Sequence, residues 1–151
     1  MVNPAEGPDL QHEIQVGEWK IRAGIHGNAT EVEYVDIPEL LGQMERDLLD
    51  PQRNHQFEIG LTFNPTLREA TLLDQEHATL TLVQGNLILA DRGSRHGTFI
   101  STTEDPQAHR LKRGGNLTGT LNITQPTEIY LPLQKDTAGK TIYLKLDCDK
   151  N

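Results

Sequence analysis

The sequence predicts an all-β protein that folds as a sandwich or a barrel. Short segments that alternate polar and apolar residues recur along its 151 residues, with turn residues between them at short intervals. One segment alone has the period of an α-helix. Aromatic residues make up only 5% of the chain, so we expect a core built mainly from Leu, Ile and Val.

The chain is expected to form one domain. Residues 1–10 are rich in Pro, Gly and acidic residues without periodicity, which predicts a flexible N-terminal tail. Residues 11–151 have the length of a single domain with one core. The alternating pattern predicts the first strands of this domain at His12 to Val16, Glu18 to Ile25 and Glu31 to Val35.

The segment from Ile37 to Leu49 is predicted to be a helix, inserted between strands. Its apolar residues fall on one helical face: Ile37, Leu40, Leu41, Met44 and Leu48. Asp36 is a suitable N-cap, and Pro51 ends the helix after Asp50. We therefore expect the apolar face to dock on a sheet.

From residue 56 onward the pattern returns to strands and turns. The predicted strands are Gln56 to Leu61, Glu69 to Leu73, Ala78 to Val83, Asn86 to Ala90, Thr98 to Ser101, Leu117 to Ile123, Thr127 to Leu133 and Lys140 to Leu146. Gln84 and Gly85 form a compact hairpin signal between two of them.

Charge and cysteine content restrict the partners. The net charge of −8 is the reverse of the basic surface that nucleic acids or anionic membranes require, so neither is expected as a partner. No segment has the length of a membrane span or the pattern of a signal peptide, and the single cysteine, Cys148, cannot form an internal disulfide. These features predict a cytoplasmic protein without membrane insertion.

Motifs for catalysis and cofactors are missing from the sequence. No two of the six histidines have the i, i+4 spacing of a helical zinc site, and neither GxxxxGK[ST] nor GxGxxG occurs. We expect no cofactor, no metal ion and no catalytic residue, and hence no enzyme. A small hydrolase or metal site around His77 and His96 is kept as a remote alternative.

Four short motifs follow one another in an order that points to a known family. They are Ile59-Gly60, His77-Ala78, Asp91-Arg92-Gly93-Ser94-Arg95-His96-Gly97-Thr98-Phe99-Ile100 and Leu111-Lys112-Arg113-Gly114-Gly115. In this order and spacing the chain resembles the forkhead-associated (FHA) domain family. The resemblance implies a β-sandwich of about eleven strands, here with an extra N-terminal strand and helix segment, and a loop surface that binds phosphothreonine peptides.

The chain departs from the family at three positions that contact the ligand. The family's phosphate-binding Arg and Ser fall on Leu61 and Asp74, and the Asn that holds the ligand backbone falls on His96. A charge-assisted hydrogen bond contributes about 1.5–3 kcal/mol, so Leu61 removes much of the phosphate affinity. A carboxylate about 4 Å from a phosphate adds a repulsion of about 4 kcal/mol.

The remaining positions divide into structural and binding candidates. By family analogy Gly60, His77, Gly93, Gly97 and Thr98 shape the loops. The candidate partner-binding residues are Leu61, Arg68, Asp74, Arg92, Ser94, Arg95 and His96. Asp74 either pairs internally with Arg68 or Arg95 or awaits a Lys or Arg of a partner.

The sequence therefore predicts a non-catalytic protein-protein interaction module for signalling or scaffolding within a larger assembly. Its partner is expected to be a peptide or a folded domain that is recognised without phosphorylation. The alternative is phosphothreonine binding through the non-standard arginines Arg68, Arg92 and Arg95.

Overall fold

The structure is a computed structural model that describes residues 12–111 and 119–150. Within these residues the chain forms ten strands and one α-helix, α1, at Ile37–Leu49. The strands are β1 (Glu13–Val16), β2 (Trp19–His26), β3 (Gln56–Ile59), β4 (Ala78–Val83), β5 (Asn86–Asp91), β6 (Phe99–Thr102), β7 (His109–Arg110), β8 (Thr120–Ile123), β9 (Thr127–Lys135) and β10 (Thr141–Lys150). The predicted tail and residues 112–115 of the fourth motif lie outside the described residues.

The strands form two sheets that pack as a sandwich. The larger sheet has the order β1-β2-β10-β9-β6-β7 and the smaller has the order β3-β4-β5-β8, and neighbouring strands are antiparallel throughout. The predicted fold class is confirmed.

Alternation along the long strands divides each sheet into an inner and an outer face. In β9 and β10 the inward side chains are at most 1% exposed: Ile129, Leu131, Leu133, Ile142, Leu144, Leu146 and Cys148. They belong to one cluster with Leu80, Leu87 and Leu89 of the smaller sheet. Burial of these aliphatic side chains is the main force that holds the two sheets together.

The helix is where the apolar spacing predicted it. Asp36 caps it by accepting a hydrogen bond from the Glu39 amide (3.1 Å), and all five predicted apolar side chains are buried. The helix contacts β1 and β2 of one sheet and β3 and β4 of the other. Because β1 and β3 are edge strands, α1 closes the sandwich along that side.

Two predicted strands are wrong. Glu31 to Val35 is not extended, because Ala29–Val32 forms a 3-10 turn. The Glu31 carboxylate there accepts hydrogen bonds from the amide and the hydroxyl of Thr137 (3.1 and 3.0 Å). These side-chain bonds stabilise a turn instead of a ladder.

Glu69 to Leu73 is also not a strand. The Ala70 amide donates to Leu67 of the preceding 3-10 turn, and the Leu72 amide donates to Leu133. Ala70 and Leu73 are buried, so this segment is a loop that covers part of the core.

Smaller differences concern strand ends. The strand predicted from Gln56 ends at Ile59, and the last strand continues to Lys150. The two-residue strand β7 was not predicted. Residues 117 and 118 of the predicted strand Leu117 to Ile123 lie outside the described residues, and the described part begins at Thr120.

No helix in the described ranges has both the length and the apolar character needed to cross a membrane.

Candidate functional site

The site is a cluster of loops at one end of the sandwich, which we call the apical loops: residues 60–77 and 91–98. The first loop begins where β3 ends. The amide of Gly60 donates to the buried Asn64 side chain (2.8 Å), which turns the chain out of the ladder. A Cβ at Gly60 would lie 2.2 Å from the carbonyl oxygen of Gln75, so only glycine fits this close approach.

This close approach brings together two of the candidate partner-binding residues, Leu61 and Asp74. The amide of Leu61 donates to the carbonyl of Asp74 (3.0 Å), and the amide of Thr62 donates to that of Gln75 (3.2 Å). The Leu61 side chain is half-buried and packs against the core. The backbone of Leu61 therefore lies directly beside that of Asp74.

His77 ties the two apical loops together from the interior. It is fully buried; its Nδ1 accepts the Asp74 amide (3.1 Å), and its Nε2 lies 2.8 Å from the Gly97 carbonyl. Because an amide can only donate, the proton must be on Nε2 and the ring is neutral. Burial lowers the pKa of His77, which agrees with this assignment.

Asp91 organises the second apical loop, and sequence reasoning did not select it. Its carboxylate accepts the amides of Gly93 and Ser94 (2.7 and 2.8 Å) and the hydroxyls of Ser94 and Thr98 (2.6 and 2.8 Å). Burial raises the pKa of Asp91, but the hydrogen bonds from Ser94, Thr98 and Gly93 outweigh it and lower the pKa overall. The Asp-x-Gly-Ser pattern of an Asx turn was the available signal.

Two glycines of the second apical loop lie in the left-handed region of backbone conformation. Gly93 and Gly97 have φ angles of 81° and 91°, which side chains with a Cβ rarely adopt. Ser94 was a candidate for partner contact. Instead its side chain is buried, and its hydroxyl also accepts the Gly97 amide (3.1 Å), so it stabilises the turn from within.

Asp74 and Arg95 form the central ion pair of the site. Asp74 Oδ1 lies 3.0 Å from Arg95 Nε, and Oδ2 accepts the Arg95 amide at 3.0 Å. The Asp74 side chain is 18% exposed and that of Arg95 is 72% exposed. Burial raises the pKa of Asp74, but the hydrogen bonds from Arg95 outweigh it and the pKa is lowered. Of the two predicted internal partners, the structure selects Arg95.

The other predicted residues lie around this pair. Arg92 pairs with Glu76 (3.1 Å) and both side chains are exposed. Arg68 is exposed at the end of a 3-10 turn, and His96 is exposed at the tip of the second loop. Two of the three predicted arginines are therefore already paired with carboxylates.

Arg110 supports the second loop from β7, and no motif in the sequence indicated it. Its Nη2 donates to the carbonyls of Ser94 (3.0 Å) and Arg95 (3.4 Å). A Cβ at Gly97 would lie 2.8 Å from Arg110 Nε, so the guanidinium packs directly on the glycine. Across the described ranges Arg110 has no carboxylate within ion-pair distance, and it adds positive charge beneath the loop.

The described residues contain no group of three or more His, Cys, Asp or Glu side chains arranged to hold a metal ion. Both ring nitrogens of His77 are engaged with the backbone. The arrangement presents a mixed polar surface rather than a cleft with a free base.

The two antiparallel sheets place the chain in the class of β-sandwich domains. The family model of the FHA domain matches residues 62–118, in agreement with the resemblance that the motif order predicted. FHA domains are protein-protein interaction modules that usually bind phosphothreonine peptides and are typically non-catalytic.

Two solved structures are similar to this chain. One is an engineered FHA domain with a Myc-pTBD peptide (23% identity, TM-score 0.36), and the other is the N-terminal FHA domain of S. cerevisiae Rad53p in complex with a phosphothreonine peptide (22% identity, TM-score 0.35). Each alignment covers 54% of this chain and 54% of the other chain, so the chain spans about half the length of these structures. A search of curated proteins found no significant match.

Proposed function

We propose that this chain is a non-catalytic interaction module whose apical loops recognise a protein partner without a phosphate group. It acts in signalling or as a scaffold within a larger assembly, and phosphothreonine binding through Arg68, Arg92 and Arg95 is the alternative. The single observation that supports the proposal most is the Asp74 carboxylate with both oxygens bonded to Arg95.

The electrostatics of this pair oppose a phosphate. A phosphate that approached the amide of Arg95 would meet the Asp74 carboxylate, with a repulsion of about 4 kcal/mol at about 4 Å. Leu61 supplies no compensating charge, and Arg92 already has a partner in Glu76. An unphosphorylated partner does not meet this repulsion.

The surface that remains for a partner is polar and adaptable. The Arg95 side chain is 72% exposed, so a partner can contact its guanidinium while the pair with Asp74 stays in place. Arg68 and His96 are exposed beside it. These three side chains are the proposed contacts.

Fluorescence anisotropy with a degenerate phosphothreonine peptide library, before and after phosphatase treatment, separates the proposal from its alternative. We expect no binding that depends on the phosphate. Micromolar affinity that disappears on dephosphorylation would overturn phosphate independence and support the alternative.

A displayed library of unphosphorylated peptides tests the location of the site. Selected binders should lose affinity for Arg68→Ala and His96→Ala variants. Lys140→Ala, an exposed cation in the turn between β9 and β10, is the matched control and should bind normally. Binders that keep their affinity for both apical variants would show that the partner is recognised at another surface.

Restoring the family's two phosphate-binding residues tests the roles of Leu61 and Asp74 directly. In the double variant Leu61→Arg with Asp74→Ser, the repulsion is gone and a cation is added, so phosphopeptide affinity should appear. Leu61→Met with Asp74→Asn, which adds no cation, is the control. Absence of any gain in the double variant would argue against the assigned roles of Leu61 and Asp74.

A further inference from the structure

The outer face of the six-stranded sheet carries an aromatic cluster, which we define as His26, Phe99, Tyr130 and Tyr143. The chain has three Phe, three Tyr and one Trp, and three of these seven lie in the cluster. Phe99, Tyr130 and Tyr143 are half-buried and His26 is exposed. A chain with so few aromatics thus places several of them outside the core.

The strand register brings these rings together. Phe99 is directly opposite Tyr130 in β6 and β9, and Tyr143 is directly opposite His26 in β10 and β2. Neighbours along the strands, such as Ile129 and Leu144, point into the core. The cluster is therefore a product of pairing across four strands on the solvent side.

The rings stand edge to face around a common recess. His26, Tyr130 and Tyr143 have centroid separations of 5.3, 6.1 and 5.9 Å, and Phe99 lies 6.1 Å from Tyr143. Three of the four interplanar angles are between 76° and 82°. The four rings and Ala108 line a cavity of about 270 Å³.

The cavity has the chemistry of a cation site. Aromatic faces carry negative potential, and a cation that lies over a ring face within about 6 Å of the centroid is attracted to it. The Tyr130 and Tyr143 centroids are 5.9 Å apart, so a cation about 4 Å above their midpoint lies about 5 Å from each centroid. Lys145 already lies 5.9 Å from the Tyr130 centroid, held by Glu128 at 2.9 Å, but it does not line the cavity.

The lining selects among cations. A lysine ammonium or a guanidinium needs several hydrogen-bond acceptors when it leaves water. No carboxylate is among the described residues that line the cavity, and the Tyr130 hydroxyl donates to Glu128 (2.9 Å). A methylated ammonium has fewer N–H donors or none, so ring faces can replace its hydration.

We propose that the aromatic cluster binds a methylated lysine side chain of a protein partner. The net charge of −8 favours approach of the basic segments in which lysines occur. None of the cluster residues is a proposed apical contact, so this site stands independently of the proposed function. A neutral side chain of the same shape would make only apolar contacts in the cavity, without the attraction of a cation to the ring faces.

The test compares three peptides in NMR titrations of the full chain, followed by the amide shifts of β9 and β10. Each contains one modified residue between basic residues: trimethyl-lysine, unmodified lysine, or the neutral analogue in which carbon replaces the trimethylated nitrogen. We expect trimethyl-lysine to bind at least about fivefold more tightly than either of the others. Equal binding of the neutral analogue would overturn the proposal, as would the absence of trimethyl-lysine binding.

Variants and a small probe complete the test. Tyr130→Leu and Tyr143→Leu keep an apolar side chain but remove a ring face, and each should weaken trimethyl-lysine binding several-fold, whereas the control Phe63→Leu should not. Unchanged affinity in folded ring variants would overturn the assignment. Choline that binds as tightly as the peptide would overturn the assignment to a protein ligand.

Discussion

At the scale of single residues, His77 makes the fold sensitive to mild acid. Its neutral ring accepts one hydrogen bond and donates another, and burial lowers its pKa below the usual value of 6.5. Below that value the unfolded chain takes up a proton that the folded chain resists. The free energy of unfolding therefore falls as the pH drops through about 6.5 towards the folded pKa.

We predict that the free energy of unfolding of the natural chain, measured with urea, is lower at about pH 5.5 than at about pH 7.5. The difference should be smaller for His77→Gln. Glutamine can accept and donate but does not titrate. His26→Gln, on the outer face of the larger sheet, is the matched control. Identical pH dependence in the natural chain and in His77→Gln would contradict the role given to the buried ring.

A second residue-scale prediction concerns Asp91, whose carboxylate accepts four hydrogen bonds. Asp91→Asn places an amide donor against groups that are themselves donors, so the free energy of unfolding should fall by about 2 kcal/mol. Glu104→Gln, an exposed carboxylate in the loop after β6, should change stability by less than about 0.5 kcal/mol. Equal urea midpoints for the two variants would show that Asp91 does not organise the loop.

At the scale of elements, α1 offers adjacent leucines in opposite environments. Leu48 is fully buried against the sandwich, whereas Leu49 is 52% exposed. Leu48→Ala should lower the free energy of unfolding by about 2–5 kcal/mol, because a cavity forms at the closed edge. Leu49→Ala should cost less than about 1 kcal/mol, since it removes little buried area. If urea unfolding showed similar losses of stability for the two variants, it would argue against the docking of the Leu48 face on the sandwich.

The contact between β7 and the second apical loop gives another prediction at this scale. Arg110 holds the carbonyls of Ser94 and Arg95, so Arg110→Ala should accelerate hydrogen exchange of the loop amides, including that of Gly97. Exchange in the central strands β9 and β10 should change little. Arg92→Ala, whose pair with Glu76 is exposed, is the control. Equal exchange of the loop amides in both variants would contradict the proposed positioning role of Arg110.

At the scale of the whole molecule, the sandwich carries two surfaces of different chemistry. The apical loops present exposed charged and polar side chains around the Asp74 and Arg95 pair. The aromatic cluster lies on the outer face of the larger sheet, built by register instead of by loops. Under the two proposals, such a domain holds two segments of a partner, or two partners, at once.

Local patterns predicted most of the fold but erred where side-chain bonds compete with the backbone ladder. The helix from Ile37 to Leu49 was correct because its spacing, cap and stop signals agree. The strand predicted at Glu31 was wrong because Glu31 bonds to Thr137, 106 residues away. No local pattern contains that partner.

The sequence predicted which loops form the candidate site, but it did not predict which residues pair with one another there. Motif order located the loops and named Leu61, Asp74 and Arg95 among the candidates. It also listed Ser94 among the candidate partner-binding residues, although that hydroxyl is buried and bonded to Asp91. Asp91 had an available turn signal, whereas Arg110 had none, since its role depends on β7 lying under the loop.

By itself the sequence determined the sandwich class, the capped helix and the family resemblance, because these depend on periodicity and on motifs of neighbouring residues. Only the tertiary structure decided that Arg95 and not Arg68 pairs with Asp74, and that four rings from β2, β6, β9 and β10 meet on one face. These contacts join residues from distant parts of the chain. The pairing of the strands and the packing of the sheets bring them together, and no local pattern encodes either.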